Sequence, residues 1–160
     1  VLSFTAEEIW RMLPESVRVD SKADSVHLAM FPEVDPRWND LVLAERWEQL
    51  LEVRTAVQAA LEVQRREKVI GAPLEARVLI DAHSAQYNLL KTYGQDLPAF
   101  FIVSDVVLQS APDLPEKPGF VITVEKATGV KCERCWNYRG SVGTSSDHPT
   151  LCDRCVEAVR

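Results

Sequence analysis

A chain of 160 residues, of which 46% are hydrophobic, is long enough to bury one core and to carry a small additional module. Its net charge of −6 argues against nucleic-acid binding through bulk positive charge. No apolar run is long enough to span a bilayer, so we expect no membrane contact. Because residues 1–13 already read as the middle of a structure, and residue 1 is Val1, we expect a fragment of a longer cytoplasmic chain.

The charge is distributed unevenly. Residues 131–160 carry five Lys or Arg against four Asp or Glu, which gives this segment +1 and leaves −7 for residues 1–130. Any nucleic-acid contact must therefore be local and specific.

The first predicted element is a short helix. Thr5 is a suitable N-cap and Glu8 follows three residues later, which together make a capping box. Trp10 belongs to the apolar face of this helix, and Pro14 ends it. A helix this short needs packing partners outside residues 1–34.

A long helix is predicted after residue 34. Asp35 and Pro36 make a natural start, with an N-cap followed by proline at the first helical position. Gly71 breaks the helix and Pro73 confirms the stop. Apolar residues recur at spacings of three and four along one stripe: Leu43, Trp47, Leu50, Val53, Val57 and Leu61.

The end of this helix is basic. Arg65, Arg66 and Lys68 complement the negative end of the helix dipole, which would make them a solvated helix end. Their alternative role is to contact a phosphate, and we predict them as nucleic-acid-binding residues.

Residues 74–126 read as a small α/β unit. The predicted elements are a strand over 74–80, a helix from a Ser84 cap to about Tyr93, β-rich stretches at 100–103 and 105–109, and a last strand over 120–125.

The four cysteines form two Cys-x2-Cys pairs, with 16 residues between the inner members. Such turns bring two thiolates to one ion, and two of them supply the tetrahedral ligands of a structural Zn²⁺ site. We therefore predict one structural Zn²⁺ held by Cys132, Cys135, Cys152 and Cys155.

Two other uses of the cysteines are weaker. Disulfides are typical of small secreted domains, which this chain does not resemble, and a redox role suits a single Cys-x2-Cys better than two facing ones. His148 offers a substitute ligand, but four cysteines already complete the coordination shell.

The first cysteine turn also carries side chains suited to binding RNA. Arg134 lies inside the turn, and Trp136 follows its second cysteine directly. A guanidinium and an aromatic ring on a rigid turn form a platform for an unstacked base. The alternative is that Trp136 packs in the ribbon's own small core.

The fold class predicted from these elements is α+β. It combines the tail of a helical bundle over residues 1–34, a long helix with an α/β junction over 35–126, and a four-cysteine zinc ribbon over 127–160.

In its motifs the chain resembles the C-terminal region of the bacterial isoleucyl-tRNA synthetase family, which are class I aminoacyl-tRNA synthetases. The matching stretches are residues 2–10 (LSFTAEEIW), 53–54 (VR), 66–76 (REKVIGAPLEA), 131–138 (KCERCWNY) and 151–156 (LCDRCV). They run collinearly through nearly the whole chain, with the weakest likeness over 84–120.

The resemblance implies that residues 1–34 end a helical anticodon-binding domain and that the ribbon meets the anticodon loop of isoleucine tRNA. It implies a monomeric parent enzyme that activates isoleucine with ATP in a separate catalytic domain. The family's catalytic signatures, His-x-Gly-His and Lys-Met-Ser-Lys-Ser, do not occur in this sequence, so we predict no catalytic residues here.

Two other classes remain open at this point. Similar four-cysteine fingers lie at the C-terminus of formamidopyrimidine-DNA glycosylases. The net negative charge of this chain disfavours a protein that binds duplex DNA. The third possibility is a structural zinc module for protein contact.

Overall fold

The computed structural model describes residues 2–18, 20 and 22–159. It divides into two compact units, Val1–Leu41 and Val42–Arg160. Helices, a three-stranded sheet and a two-stranded ribbon are all present, which confirms the predicted α+β class. None of the helices in the described part of the chain is both long and apolar enough to cross a membrane.

The first unit contains helix α1 (Ser3–Met12) and a 3-10 turn at Glu15–Val17. The predicted capping box is wrong, because α1 already begins at Ser3 and Thr5 lies within it. The residue before the helix is Leu2, whose φ of 55° is left-handed and whose side chain makes no capping hydrogen bond.

Tertiary hydrogen bonds attach α1 to the residues that follow it. The carboxylate of Glu7 accepts hydrogen bonds from the Ser25 hydroxyl at 2.7 Å and the Val26 N–H at 3.2 Å. The buried Trp10 donates its indole N–H to the Ala23 carbonyl at 3.1 Å. These bonds tie α1 to the segment after it, which local capping rules cannot anticipate.

The long helix, α2 (Leu41–Arg66), starts later than the sequence suggests. Asp35 does cap a helical turn, since its carboxylate accepts from the Arg37 N–H at 2.9 Å, but the turn is a 3-10 segment (Pro36–Trp38). The last four residues of the predicted apolar stripe are buried, whereas Leu43 and Trp47 stay partly exposed.

The predicted stop at Gly71 is also wrong, because α2 ends at Arg66. Lys68 adopts a left-handed φ of 61°. Its N–H bonds to the Arg65 carbonyl at 3.2 Å, and the Val69 N–H bonds to the Gln64 carbonyl at 3.0 Å. These two bonds define a Schellman motif with lysine at the position that glycine usually occupies.

The sheet has the order β2–β1–β3. Strands β1 (Ala76–Ala82) and β2 (Asp105–Ser110) are parallel, with Arg77 opposite Asp105, and β3 (Phe120–Lys126) is antiparallel to β1.

Two helices, α3 (Ser84–Thr92) and α4 (Leu97–Phe101), form the crossover between β1 and β2. Two local expectations fail in this region. Ser84 is the first residue of α3 and not its cap, and the β-rich stretch at 100–103 overlaps α4 and a left-handed Ile102 with φ of 61°.

One apolar core joins α2, the crossover helices and the sheet. Its largest fully buried side chains are Leu50, Val53, Val57, Val78, Ile80, Leu90, Leu97 and Val103. We call this part of the second unit, through Ala127, the α/β body.

The ribbon follows Ala127. It consists of strands β4 (Val130–Lys131) and β5 (Tyr138–Arg139), which pair antiparallel, and helix α5 (Asp153–Val159). Gly129, with φ of 96°, starts it: a Cβ there would lie 2.5 Å from the Arg139 carbonyl carbon, so only glycine allows this close approach.

Candidate metal centre and nucleic-acid interface

Backbone hydrogen bonds shape the two cysteine turns. In the first turn, which connects β4 to β5, the Cys132 N–H donates to the Asn137 carbonyl at 2.9 Å and the Trp136 N–H donates to the Cys132 carbonyl at 2.9 Å. The second turn opens α5. The Glu133 N–H donates to the Thr150 carbonyl at 3.2 Å, which joins the two turns.

This geometry brings the four predicted ligands together. The sulfurs of Cys132, Cys135, Cys152 and Cys155 all lie within 4.8 Å of one another, and the Cys135 and Cys152 sulfurs are 3.7 Å apart. A tetrahedral Zn²⁺ with Zn–S bonds of about 2.3 Å separates its sulfurs by about 3.8 Å. All four cysteines are free, so the disulfide interpretation fails.

Backbone and side-chain N–H groups point at the sulfurs. The Cys152 backbone N–H donates to the Cys132 sulfur at 3.3 Å, and the Asn137 side-chain amide donates to the Cys135 sulfur at 3.6 Å. The Arg134 guanidinium donates to the Cys155 sulfur at 3.6 Å. Donors around a thiolate stabilise its charge and orient it, as outer-shell partners do in metal sites.

The surroundings shift the pKa values of two of the thiols in opposite directions. Burial raises the pKa of Cys132, but the backbone N–H groups of Cys135, Cys152 and Arg134 outweigh it and lower that pKa to about 6. Burial, assisted by the neighbouring cysteine side chains, raises the pKa of Cys152 to about 12. A divalent cation supplies the charge that four converging thiolates need, so the donor set fits Zn²⁺.

Trp136 does not pack in the ribbon core. Its side chain is 60% exposed, and its φ of 65° is a left-handed conformation that is rare for a bulky residue. The ammonium of Lys131 lies 5.5 Å from the ring centre, within cation–π range.

Lys131 was not identified from the sequence as part of this surface. It ends β4 directly before the first cysteine turn, and Trp136 directly follows the second cysteine of that turn. We call Lys131, Arg134 and Trp136 the knuckle platform.

The basic end of α2 has internal partners. Arg65 donates to the Glu62 carboxylate at 2.8 and 2.9 Å, and Arg66 donates to it at 3.2 Å. These bonds lower the pKa of Glu62 to about 2, and the hydrogen bonds from Arg65 make the largest contribution. Lys68 takes the left-handed position after the helix. Within the described residues, no hydrogen bond or ion pair connects this cluster with the knuckle platform.

Known families match both parts of the chain. Residues 1–80 match the family described as "Anticodon-binding domain of tRNA ligase", and residues 129–158 match "Zinc finger found in FPG and IleRS". The chain therefore belongs to the anticodon-binding domain family of tRNA ligases. Together with the cysteine geometry, the second match supports a single structural zinc.

Individual relatives agree with both families. The chain is 48% identical over 166 residues to an isoleucine--tRNA ligase of Syntrophotalea carbinolica, covering 99% of the chain, and 45% identical over 165 residues to that of Geobacter sulfurreducens, covering 100% of it. These matches confirm the resemblance found in the motifs. The chain spans 17% of the length of either relative. The anticodon-domain match over residues 1–80 does not favour the glycosylase alternative.

Proposed function

We propose that this chain is the tRNA-recognition part of an isoleucine--tRNA ligase and that it binds the anticodon region of isoleucine tRNA. In this proposal, residues 1–34 form the edge of the anticodon-binding domain, 35–126 join it to the ribbon, and 127–160 are the zinc ribbon. Isoleucine and ATP act only through a separate catalytic domain, and the parent enzyme is a cytoplasmic monomer. The support is the match of the whole chain to isoleucine--tRNA ligases.

The zinc site has a structural role in this proposal. Cys132, Cys135, Cys152 and Cys155 ligate the ion, which closes the coordination shell and leaves no position for a substrate. Bound Zn²⁺ supplies folding free energy to a module whose own core is small. The consequence for RNA binding is a rigid first turn.

The observation that carries the RNA-binding proposal is the exposed Trp136 on that turn. An indole held on a rigid backbone loses little entropy when a base stacks on it. Its left-handed φ costs roughly 1–2 kcal/mol, and structures retain such strain where function requires it. Arg134 and Lys131 add positive charge beside the ring.

Arg134 has a double role here. Its Nη1 is directed at the Cys155 sulfur, and the other guanidinium N–H groups are left for a base edge or a phosphate. Arg65, Arg66 and Lys68 form a second proposed contact, with the phosphate backbone of the tRNA.

The test uses the full-length ligase with Trp136→Ala, and with Val130→Ala as a matched control, because Val130 is equally exposed on the ribbon. Losing one stacked base costs roughly 1–3 kcal/mol, so the tRNA Kd of Trp136→Ala should rise by one to two powers of ten. Isoleucine activation with ATP and zinc content should be unchanged, and Val130→Ala should resemble the parent. Loss of zinc, or equal loss of activation and charging, would make Trp136 a structural residue and refute the proposal.

A further inference from the structure

Ser104 is a buried hydroxyl between the α/β body and the ribbon. It immediately precedes β2 and is 5% exposed, the one polar side chain in the buried class among the described residues. Its hydroxyl donates to the Leu74 carbonyl at 2.5 Å and accepts from the Tyr138 N–H at 2.7 Å. Its own N–H donates to the Ala76 carbonyl at 3.1 Å.

The two partners of this hydroxyl belong to different parts of the molecule. Leu74 lies in the 3-10 turn Pro73–Glu75 before β1 in the α/β body, whereas Tyr138 begins β5 of the ribbon. Among the hydrogen bonds of the described residues, Ser104–Tyr138 is the one that passes from the α/β body to the ribbon. The covalent connection between them is short, since Thr128 and Gly129 alone separate Ala127 from β4.

The ribbon end of this contact lies next to the knuckle platform. Tyr138 is two residues from Trp136, and the intervening Asn137 donates its side-chain amide to the Cys135 sulfur at 3.6 Å. A continuous run of bonds therefore leads from Leu74 through the Ser104 hydroxyl to the first cysteine turn. Because the zinc turn is internally rigid, fixing Tyr138 also fixes the direction in which Trp136 projects.

We propose that Ser104 is a positioning residue that holds the ribbon, and with it Trp136, in the orientation that binds the tRNA anticodon region. This inference rests on the proposed function. A serine hydroxyl suits the role because it donates and accepts at once, and so satisfies one backbone group on each side. Without it, the Tyr138 N–H and the Leu74 carbonyl are left unpaired, which favours orientations in which both reach water.

The effect on binding follows from populations. If only one ribbon orientation binds tRNA, the apparent Kd is the intrinsic Kd divided by the populated fraction of that orientation. Ser104→Ala should therefore weaken tRNA binding without changing any residue that touches tRNA.

The experiment uses the full-length, zinc-loaded ligase carrying Ser104→Ala, with Ser110→Ala as the matched control because Ser110 is an exposed serine at the far end of β2. In Ser104→Ala, we expect the Tyr138 amide to exchange with solvent about tenfold faster and the tRNA Kd to rise about tenfold. Zinc stoichiometry and isoleucine activation should equal those of the parent, and Ser110→Ala should change none of these quantities.

Three results would overturn the proposal. The first is an unchanged tRNA Kd in Ser104→Ala while Trp136→Ala weakens binding. The second is loss of zinc from Ser104→Ala, because Ser104 would then be needed to fold the ribbon. The third needs no variant: in the parent protein, a Tyr138 amide that exchanges much faster than the Ser104 amide would show that the bond does not persist. Failure of the proposed function is a separate result, in which Trp136→Ala itself leaves tRNA binding unchanged.

Discussion

The ammonium nitrogen of Lys131 lies 5.5 Å from the centre of the Trp136 indole ring. Lys131 ends β4 just before the first cysteine, and Trp136 follows the second cysteine, so the zinc turn itself holds the pair together. A cation beside an exposed aromatic ring suits a nucleotide, whose base stacks and whose phosphate is negative.

Replacing Trp136 by glycine should stabilise the ribbon while removing its RNA contact. Residue 136 has a φ of 65°, which glycine adopts without strain. Alanine at the same φ is strained by roughly 1 kcal/mol. Zinc should therefore leave Trp136→Gly about fivefold more slowly than Trp136→Ala when a chelator is added, since 1 kcal/mol corresponds to about that factor. Both variants should bind tRNA equally weakly. Faster zinc loss from Trp136→Gly would mean that the indole supports the ribbon.

Lys68 allows a similar separation of structure from binding. Lys68→Gly should raise the free energy of unfolding of the α/β body by about 1 kcal/mol, because glycine is the preferred residue at this Schellman position, whereas Lys68→Ala should not. If the ammonium contacts a phosphate, both variants lose tRNA affinity to the same extent. The slope of log Kd against the logarithm of the salt concentration then falls by about one, the value for one lost phosphate contact. Unchanged tRNA affinity in both would make Lys68 only the end of a helix.

Glu62 competes with phosphate for Arg65 and Arg66 in the proposed tRNA contact. Glu62→Gln should release both guanidiniums and strengthen tRNA binding at low salt by about two- to fivefold, the range of an exposed ion pair. Gln58→Glu, one helical turn earlier on α2, is the opposing variant and should weaken binding. No change in either variant would place this end of α2 away from the tRNA.

The same carboxylate gives a pH prediction. The folded-state pKa of Glu62 is about 2, below its unfolded value of about 4.3, so its ion pairs stabilise the fold above the unfolded pKa. This stabilisation is lost as the pH falls through about 2. An NMR titration of the Glu62 carboxyl carbon should have its midpoint near 2 and should move upward in Arg65→Gln. An unshifted midpoint in the parent would contradict the pairing.

The zinc prediction concerns Cys132, Cys135, Cys152 and Cys155. We expect one zinc per chain by metal analysis, and loss of that zinc in Cys132→Ser. Zinc should also leave as the pH falls, because protons compete for the thiolates. Ser141→Ala is the control, since Ser141 contacts Asp153 in the ribbon at 2.8 Å but offers no sulfur. Retention of zinc by Cys132→Ser would show that the ligand set differs.

The sequence predicts some of these features better than others for physical reasons. The cysteine cluster is predictable because two short turns leave the four thiols few arrangements other than around one ion. The ends of α1 and α2 are not, because α1 begins at Ser3 with no side-chain cap, and Lys68 ends α2 with a left-handed backbone. Local propensity is overridden in both places.

Side-chain roles on the ribbon depend still more on the tertiary structure. The sequence allowed Trp136 either a core position or an RNA-binding role, and its exposure excludes the core position. Its contact with RNA stays a prediction. Lys131 gave no signal in the sequence, because its contact with Trp136 forms only when the first cysteine turn folds. Ser104 gave no signal at all, since its hydroxyl partners lie 30 and 34 residues away in the chain.

The most direct test of the account is a cross-link between the ribbon and the anticodon loop. Isoleucine tRNA with a photoreactive pyrimidine in its anticodon loop would be bound to the full-length, zinc-loaded ligase, irradiated, and the linked residue identified by mass spectrometry. The account predicts linkage to Trp136 or its neighbours within 131–138, which disappears when unlabelled tRNA competes. Efficient linkage to other parts of the ligase, with none to residues 131–138, would contradict it.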